Sequence, residues 1–340
     1  MTDFLHDRKY LRERHRLSHQ QIDRLLGENS GKKFLKEKLD CIKAVENFLS
    51  VTDLLRSYEI PFVCLKGATL SYRIYKELSV RVSHDIDILI ELKMVEKVLE
   101  VFLNEGFSLT ESFVWSQNKA QQKMITHSAH HLSLYNKEKC CCVEFHWTLM
   151  QGLPVSEKRL KTIIARNLTE ENISGRKFTL LSKELELLFL LIHGSRHQWS
   201  RLKWLIDIKE YPINEIDEEK FCELAKLFKA GRIIGQANYL LKEFFYCQLP
   251  FKGDNHLPEF FICMPLRAIA GEIKKEQSIK EHINSLRYHL LMFRDLYFKC
   301  RVIGTLFFRP NDMTMIDSSY RIVYYLYRPY SLIKRRVFHA

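Results

Sequence analysis

The sequence predicts an α+β protein: a small mixed β-sheet core flanked by helices, followed by a mainly α-helical C-terminal domain. Three observations carry this. Asp85-Ile86-Asp87-Ile88 alternates polar and apolar residues, the period of a strand. On either side, in Ile42–Ser57 and Lys93–Asn104, apolar residues return at helical spacing. Beyond about Gly152 the strand-like patterns give way to successive helical ones.

In chain order, residues 1–40 are polar with Leu and Ile at helical spacing, and are expected to form a helical extension that frays. Val45, Phe48, Leu49 and Leu55 define the apolar stripe of the first long helix. Pro61 opens the apolar run Phe62-Val63-Cys64-Leu65, which reads as a buried strand ended by Lys66-Gly67. Leu70, Ile74 and Leu78 mark a second helix, then comes the strand at Asp85–Ile90. Val95, Val98, Leu99 and Phe102 face inward from a third helix, with Gly106 at its end. His131–Tyr135 and Cys140–Trp147 form a hairpin around the polar turn 136–139, which places His131 opposite Glu144. Ser182 is an N-cap for an apolar helix over Glu184–Ile192. Further helical patterns cover Arg201–Glu210, Glu219–Lys229, Ile233–Tyr246 and Glu272–Leu291. The expected domains are therefore 1–40, a core at 41–152 and a helical domain at 153–340 that closes over a cleft.

Composition narrows the class. A 340-residue chain that is 46% hydrophobic can bury a sizeable core, and 12 Gly with 8 Pro exclude collagenous or linker-rich architectures. The charged N-terminus has no signal-peptide core, and no apolar run reaches the ~20 residues of a membrane span. Nine cysteines without a CxxC pair argue against a disulfide framework or a structural zinc site. The expectation is a cytoplasmic protein with no membrane association and no inferred stable protein partner. Lys and Arg exceed Asp and Glu by 53 to 41, which favours a polyanionic partner such as an NTP, tRNA or other RNA.

The chemistry concentrates in two segments. Asp85 and Asp87, at i and i+2 on a strand, project from one face and can share divalent cations. Ile86 and Ile88 point the other way, into a core. Upstream, Gly67 at a strand-to-helix junction lets backbone approach a phosphate, and the helix start offers free N–H groups. Glu144 and His146 share the parity of His131 in the expected hairpin, so Glu144 is a candidate third carboxylate. Three acids beside a phosphate cradle suit metal-assisted phosphoryl transfer with Mg²⁺ or Mn²⁺. Lys66 and Arg81 are candidates for phosphate contact, Arg81 equally for a salt bridge. His193, Arg196 and His197 fall on one helical face, with Lys203 and Asp207 on the next helix. They suit either nucleotide contact or an ion-pair network. Trp199 and Trp204 are expected to pack. His127, His130, His131 and His146 are expected to be structural, since His130 and His131 alternate faces and no HExxH spacing exists. The basic–aromatic stretch from Tyr320 to Ala340 suits RNA or an ordinary terminal helix.

Leu65-Lys66-Gly67, the Asp85–Ile90 strand and Val143-Glu144-Phe145-His146-Trp147 together resemble the uncharacterised nucleotidyltransferases of the DNA polymerase beta superfamily. The similarity runs from about residue 42 to 210, including His193-Gly194-Ser195-Arg196-His197. It implies a nucleotidyltransferase core in which Asp85, Asp87 and Glu144 hold catalytic metal, while Lys66 and Gly67 line the phosphates of a bound NTP such as ATP. It also implies transfer of an NMP to a hydroxyl or phosphate of an RNA, a peptide or a small molecule, with release of pyrophosphate. Two departures stand out: Ala68 replaces the superfamily's usual serine after the glycine, and the stretch from Gly67 to Asp85 is longer than usual. A non-catalytic nucleotide- or RNA-binding regulator with the same fold is the alternative, and a toxin-like transferase would share the same chemistry.

Overall fold

The computed structural model describes residues 3–30, 34–110, 115–116, 118–271, 279–308, 310–314, 316 and 318–338. The N-terminal part carries α1 (Arg8–Glu13), α2 (His19–Leu26) and α3 (Leu35–Ser57), then β1 (Phe62–Cys64), α4 (Ala68–Tyr75), β2 (Asp85–Ile90), α5 (Val95–Asn104) and β3 (Ser108–Leu109). There follow α6 (Lys119–Ser128), β4 (His131–Asn136), β5 (Cys141–His146), α7 (Glu157–Arg166), β6 (Leu168–Ile173) and β7 (Arg176–Leu181). The rest is helical: α8 (Lys183–Arg196), α9 (Leu202–Lys209), α10 (Glu218–Leu227), α11 (Gly231–Phe245), α12 (Glu259–Ile269), α13 (Ile279–Met292), α14 (Leu296–Phe307) and α15 (Arg321–Phe338). Of the helix expected over Glu272–Leu291, residues 272–278 lie outside the described residues.

The described strands form one mixed sheet in the order β3-β4-β5-β2-β1-β7-β6. β2 runs antiparallel to β1 and parallel to β5, and β1 runs parallel to β7. The expected boundary near residue 152 therefore falls inside the sheet, because β6 and β7 extend it beyond that point. Their sequence gives a reason: β6 reads Leu168-Thr169-Glu170-Glu171-Asn172-Ile173, an edge strand too polar to stand out as buried.

Packing separates the two faces of the sheet. Ile88, Ile90, Val143 and Phe145 join Val51 and Leu55 of α3 and Val95, Val98, Val101 and Phe102 of α5 in one buried cluster. On the opposite face Leu65 and Leu89 pack with Leu185, Leu188 and Phe189 of α8, in a core that continues through α9 to α13. As expected, the Ser182 hydroxyl caps α8, accepting from Leu185 N at 3.4 Å. The sheet and the helical half thus share one core.

The N-terminal segment belongs to that core too. Leu11, Leu17 and Ile22 are each fully buried in it, on the order of 1.5–3 kcal/mol apiece. Arg14 donates to Ala268 O at 2.6 Å, and Leu202 N donates to His15 Nδ1 at 3.1 Å. α3 also runs unbroken through residue 40. The segment expected to fray is instead a strap across the helical half.

His15 makes the strap acid-sensitive. Burial, reinforced by the Arg14 charge, pulls its pKa down to about 3 from the ordinary 6.5. Between those values the unfolded chain binds a proton that the native state refuses, so stability is lost as pH falls through this window, by up to about 1.4 kcal/mol per pH unit. Urea melts at a series of pH values from 7 downward are expected to show a shallower pH slope for His15→Asn, which keeps an acceptor for Leu202 N, than for the wild type. Equal slopes would show that His15 is not the titrating group.

Candidate active site

β2 is central in the sheet, and its first residues carry the acids. Asp87 is 6% exposed, whereas Asp85, two residues nearer the strand's start, is partly exposed. The parallel register sets Asp87 beside Glu144 and Asp85 beside Cys142, so all three carboxylates share a face. Ile86 and Ile88 point the other way, as their parity predicts.

The hairpin register differs from expectation. β4 and β5 pair His131 with His146 and Ser133 with Glu144, because the connection is Lys137–Cys140 rather than 136–139. Asn136 closes that turn, accepting from Lys139 N at 2.9 Å, and Cys140 takes the left-handed conformation at φ 49°. The slip moves each partner by two residues, which preserves the faces. His131, Glu144 and His146 therefore still converge. The expected divergence of His130 and His131 is not observed: their rings lie 4.5 Å apart, because His130 precedes the strand and escapes its alternation.

Cations answer the buried charge. Lys66, at the end of β1, places Nζ 3.0 Å from Asp87 Oδ1 and 3.2 Å from His193 Nε2 on α8. His146 Nε2 lies 3.2 Å from Asp87 Oδ1 and 3.3 Å from Glu144 Oε2, bridging both acids. Burial alone raises a carboxyl pKa, but Lys66 and the His146 hydrogen bond reverse this and hold Asp87 well below the usual carboxylate range. Asp85 shifts the other way: burial, then the Glu144 and Asp87 charges, push it up. His146 is raised despite its burial, because both acids accept its proton. His193 is held neutral by burial and by the Lys66 charge, so Lys66 donates to it.

Gly67 ends β1 at φ 80° and starts α4, a backbone conformation open to glycine and strained for other residues. Arg81, a candidate phosphate ligand, is 6% exposed and makes two hydrogen bonds to Asp207 of α9, Nε at 2.8 Å and Nη2 at 2.9 Å. Lys203, on the same helix, donates to Val82 O. These contacts fasten the loop before β2 to α9: Asp207 by an ion pair with Arg81, Lys203 by a backbone carbonyl. The expected His193–Arg196–His197 face divides. His193 reaches Lys66, while Arg196 donates to Gln151 O at 2.5 Å. His197 stacks on Trp204 with ring centres 5.0 Å apart. Trp199 is fully buried and donates to Gln236 at 2.8 Å, a packing residue as expected.

A cavity of about 430 Å³ opens at the acidic end of β2. Lys66, Gly67, Ser83 and Asp85 form one wall, and Glu37, Asp40, Lys43 and Asn47 of α3 form another. The sequence reading missed the contribution of α3; the alternation of Asp40 and Lys43 with buried Cys41 was the available signal. A larger cavity of about 1090 Å³ lies near the far end of β2, between Trp115, Trp147 and α7, and includes none of the three carboxylates. The acidic end fits a hard divalent cation. Asp87, Glu144 and His146 offer ligand atoms within 4.8 Å of one another, and a cation would relieve the repulsion that raises Asp85. Among the described residues no helix is long and apolar enough to cross a membrane.

The family model described as an uncharacterised nucleotidyltransferase matches residues 15–246, from just before α2 to the end of α11. No curated protein sequence matches the chain. Among solved structures, the lincosamide antibiotic adenylyltransferase LnuA, determined with lincomycin bound, is 17% identical with a TM-score of 0.34, over 49% of this chain and 94% of that one. The antibiotic-resistance factor ANT(2'')-Ia is 10% identical with a TM-score of 0.38, over 56% of this chain and 92% of that one. An antigenic nucleotidyltransferase-like protein from Paracoccidioides brasiliensis is 19% identical with a TM-score of 0.32, over 62% and 94% respectively.

The Arg81–Asp207 pair has a measurable consequence. Asp207→Asn leaves a buried guanidinium without its counter-charge and is expected to destabilise the protein by about 3–5 kcal/mol in urea melts. A loss below about 1 kcal/mol would return Arg81 to the list of candidate phosphate ligands.

Proposed function

The chain belongs to the family of uncharacterised nucleotidyltransferases, and from that premise we propose that it moves an NMP from an NTP, such as ATP, to a hydroxyl or phosphate acceptor with release of pyrophosphate, dependent on Mg²⁺ or Mn²⁺. One observation carries this reading: the parallel register that sets Glu144 beside Asp87 puts three carboxylates on one face, and the first of them, Asp85, lines a cavity that Gly67 also bounds. Asp85, Asp87 and Glu144 are the residues that would hold the metal. When bound, the ion polarises the phosphoryl oxygens and lowers the pKa of an attacking hydroxyl.

The chain's own groups divide the remaining work. The Gly67 backbone and the start of α4 face the same cavity as Asp85, which suits a triphosphate. Lys66 now satisfies Asp87 and His193; a triphosphate would offer it a stronger partner and leave Asp87 to help hold the metal. One of the three carboxylates would help take the acceptor's proton. α8 packs over this face of the sheet, and the helical half would act as the closing domain.

The acceptor classes are an RNA such as tRNA, a peptide and a small molecule. Arg328 of the basic C-terminal helix is 4% exposed and bound to Asp312 at 3.1 Å, so it is not available to an RNA backbone. The side chains of Lys334, Arg335 and Arg336 lie outside the described residues.

Purified protein with Mg²⁺ and each α-phosphate-labelled NTP, given total tRNA, protein extract, a hydroxylated small-molecule panel or no acceptor, tests the proposal. Label is expected in one fraction, with Asp85→Asn and Asp87→Asn lowering the rate by about 10³-fold or more at unchanged circular dichroism. Lys66→Met is expected chiefly to raise the KM for NTP. Full activity in Asp85→Asn/Asp87→Asn would overturn the site. Absence of both label and NTP binding would favour the non-catalytic regulator.

A further inference from the structure

Beside the carboxylates, the same sheet face gathers a second donor set of different chemistry. His130, His131 and His146 each offer a nitrogen, and the three lie within 4.8 Å of one another. Their ring centres are 4.5, 4.9 and 5.6 Å apart. Three imidazoles bound to one tetrahedral ion at about 2.1 Å hold their ring centres roughly 5 Å apart. The triad is thus close to that spacing, and small side-chain rotations suffice to close it.

The backbone fixes the arrangement. His131 and His146 are directly paired across β4 and β5, and His130 O accepts from Trp147 N at 3.0 Å, which holds the residue before the strand in place. His146 is 4% exposed, and its Nδ1 has no hydrogen-bond partner, an unsatisfied acceptor or donor at the buried end of the cluster. Glu144 Oε2 lies 4.0 Å from His131 Nε2 and 3.3 Å from His146 Nε2, within reach as an orienting or fourth group.

We propose that His130, His131 and His146 form a second metal site, for a borderline divalent transition ion such as Zn²⁺, adjacent to but distinct from the carboxylate centre. Nitrogen donors select such ions, whereas Mg²⁺ prefers the oxygens of Asp85, Asp87 and Glu144. Three protein ligands leave a fourth position for water or Glu144. His146 belongs to both sets, so an ion on the imidazoles draws on the ring that now donates to Asp87 and Glu144. Occupancy of this site is therefore coupled to the charge balance of the catalytic acids.

Co²⁺ titration of the full-length, metal-stripped protein, carrying no histidine tag and in the presence of excess Mg²⁺, tests this. The expected result is one equivalent bound with the intense visible bands of tetrahedral Co²⁺, and displacement by Zn²⁺. His130→Gln and His131→Gln are expected to weaken Co²⁺ binding by about 10-fold or more, while Asp85→Asn leaves it unchanged. Thermal melts of each variant check the fold. X-ray absorption on the wild-type Zn²⁺ form requires no variant and is expected to show multiple-imidazole scattering. Weak octahedral bands, oxygen-only scattering, or loss of binding in Asp85→Asn with retention in His130→Gln would overturn the site and place the ion on the carboxylates.

Discussion

At 3.0 Å from Asp87 Oδ1, the Lys66 ammonium compensates a carboxylate that burial would otherwise protonate. An isolated buried carboxylate is costly, and it stays charged only where donors surround it. Here they arrive from three elements: Lys66 from the end of β1, His146 from β5, and His193 of α8 accepting from Lys66 on its far side. This chain of contacts requires the two central strands to be in register and α8 to lie across the face. The helical half is thus electrostatically part of the site as well as part of its core.

Two further buried arginines keep that geometry through ion pairs. Arg73 of α4 lies 2.7 Å from Glu171 of β6 and 2.8 Å from Glu186 of α8, and Arg81 joins Asp207 of α9. Such pairs add little net stability against apolar substitutes, because desolvation offsets the attraction. Their effect is one of specificity. Each arginine has one set of partners, so α4 and the loop before β2 have one placement relative to α8 and α9. Apolar contacts alone would tolerate sliding, since Leu against Leu specifies no register.

Much of the fold was legible in the sequence, for identifiable reasons. The alternation in β2 is strict at its start, so the shared face of Asp85 and Asp87 follows from parity alone. Parity also explains why Glu144 and His146 converge although the hairpin register was offset: a shift of two residues preserves faces. Less legible were features set by tertiary context. β6 and β7 join the sheet through pairing with β1, although β6 itself is polar. The N-terminal strap is held by Leu11, Leu17 and Ile22, too sparse a pattern to outweigh the surrounding charge. Arg81 stayed open between phosphate contact and a salt bridge because Asp207, its partner, lies far away in sequence. His130 escaped the rule for strands because it sits one residue outside one.

The sheet face separates its donors by hardness along β5. Glu144, beside Asp87, belongs to a group rich in carboxylate oxygen, which suits ions that bind phosphate. Two residues on, His146 faces His131 and closes an imidazole group suited to softer ions. The strand's two-residue repeat places these chemistries on one face, a single step apart, with His146 common to both. Under the proposed function, a divalent ion arriving with an NTP would go to the oxygens, because imidazole nitrogens compete poorly for a hard cation. The same ring that completes the nitrogen set donates to Asp87 and Glu144 while it is metal-free, compensating the acids in concert with Lys66. On that reading, substrate binding, metal choice and the charge state of the acids would be tied together through one buried side chain, His146.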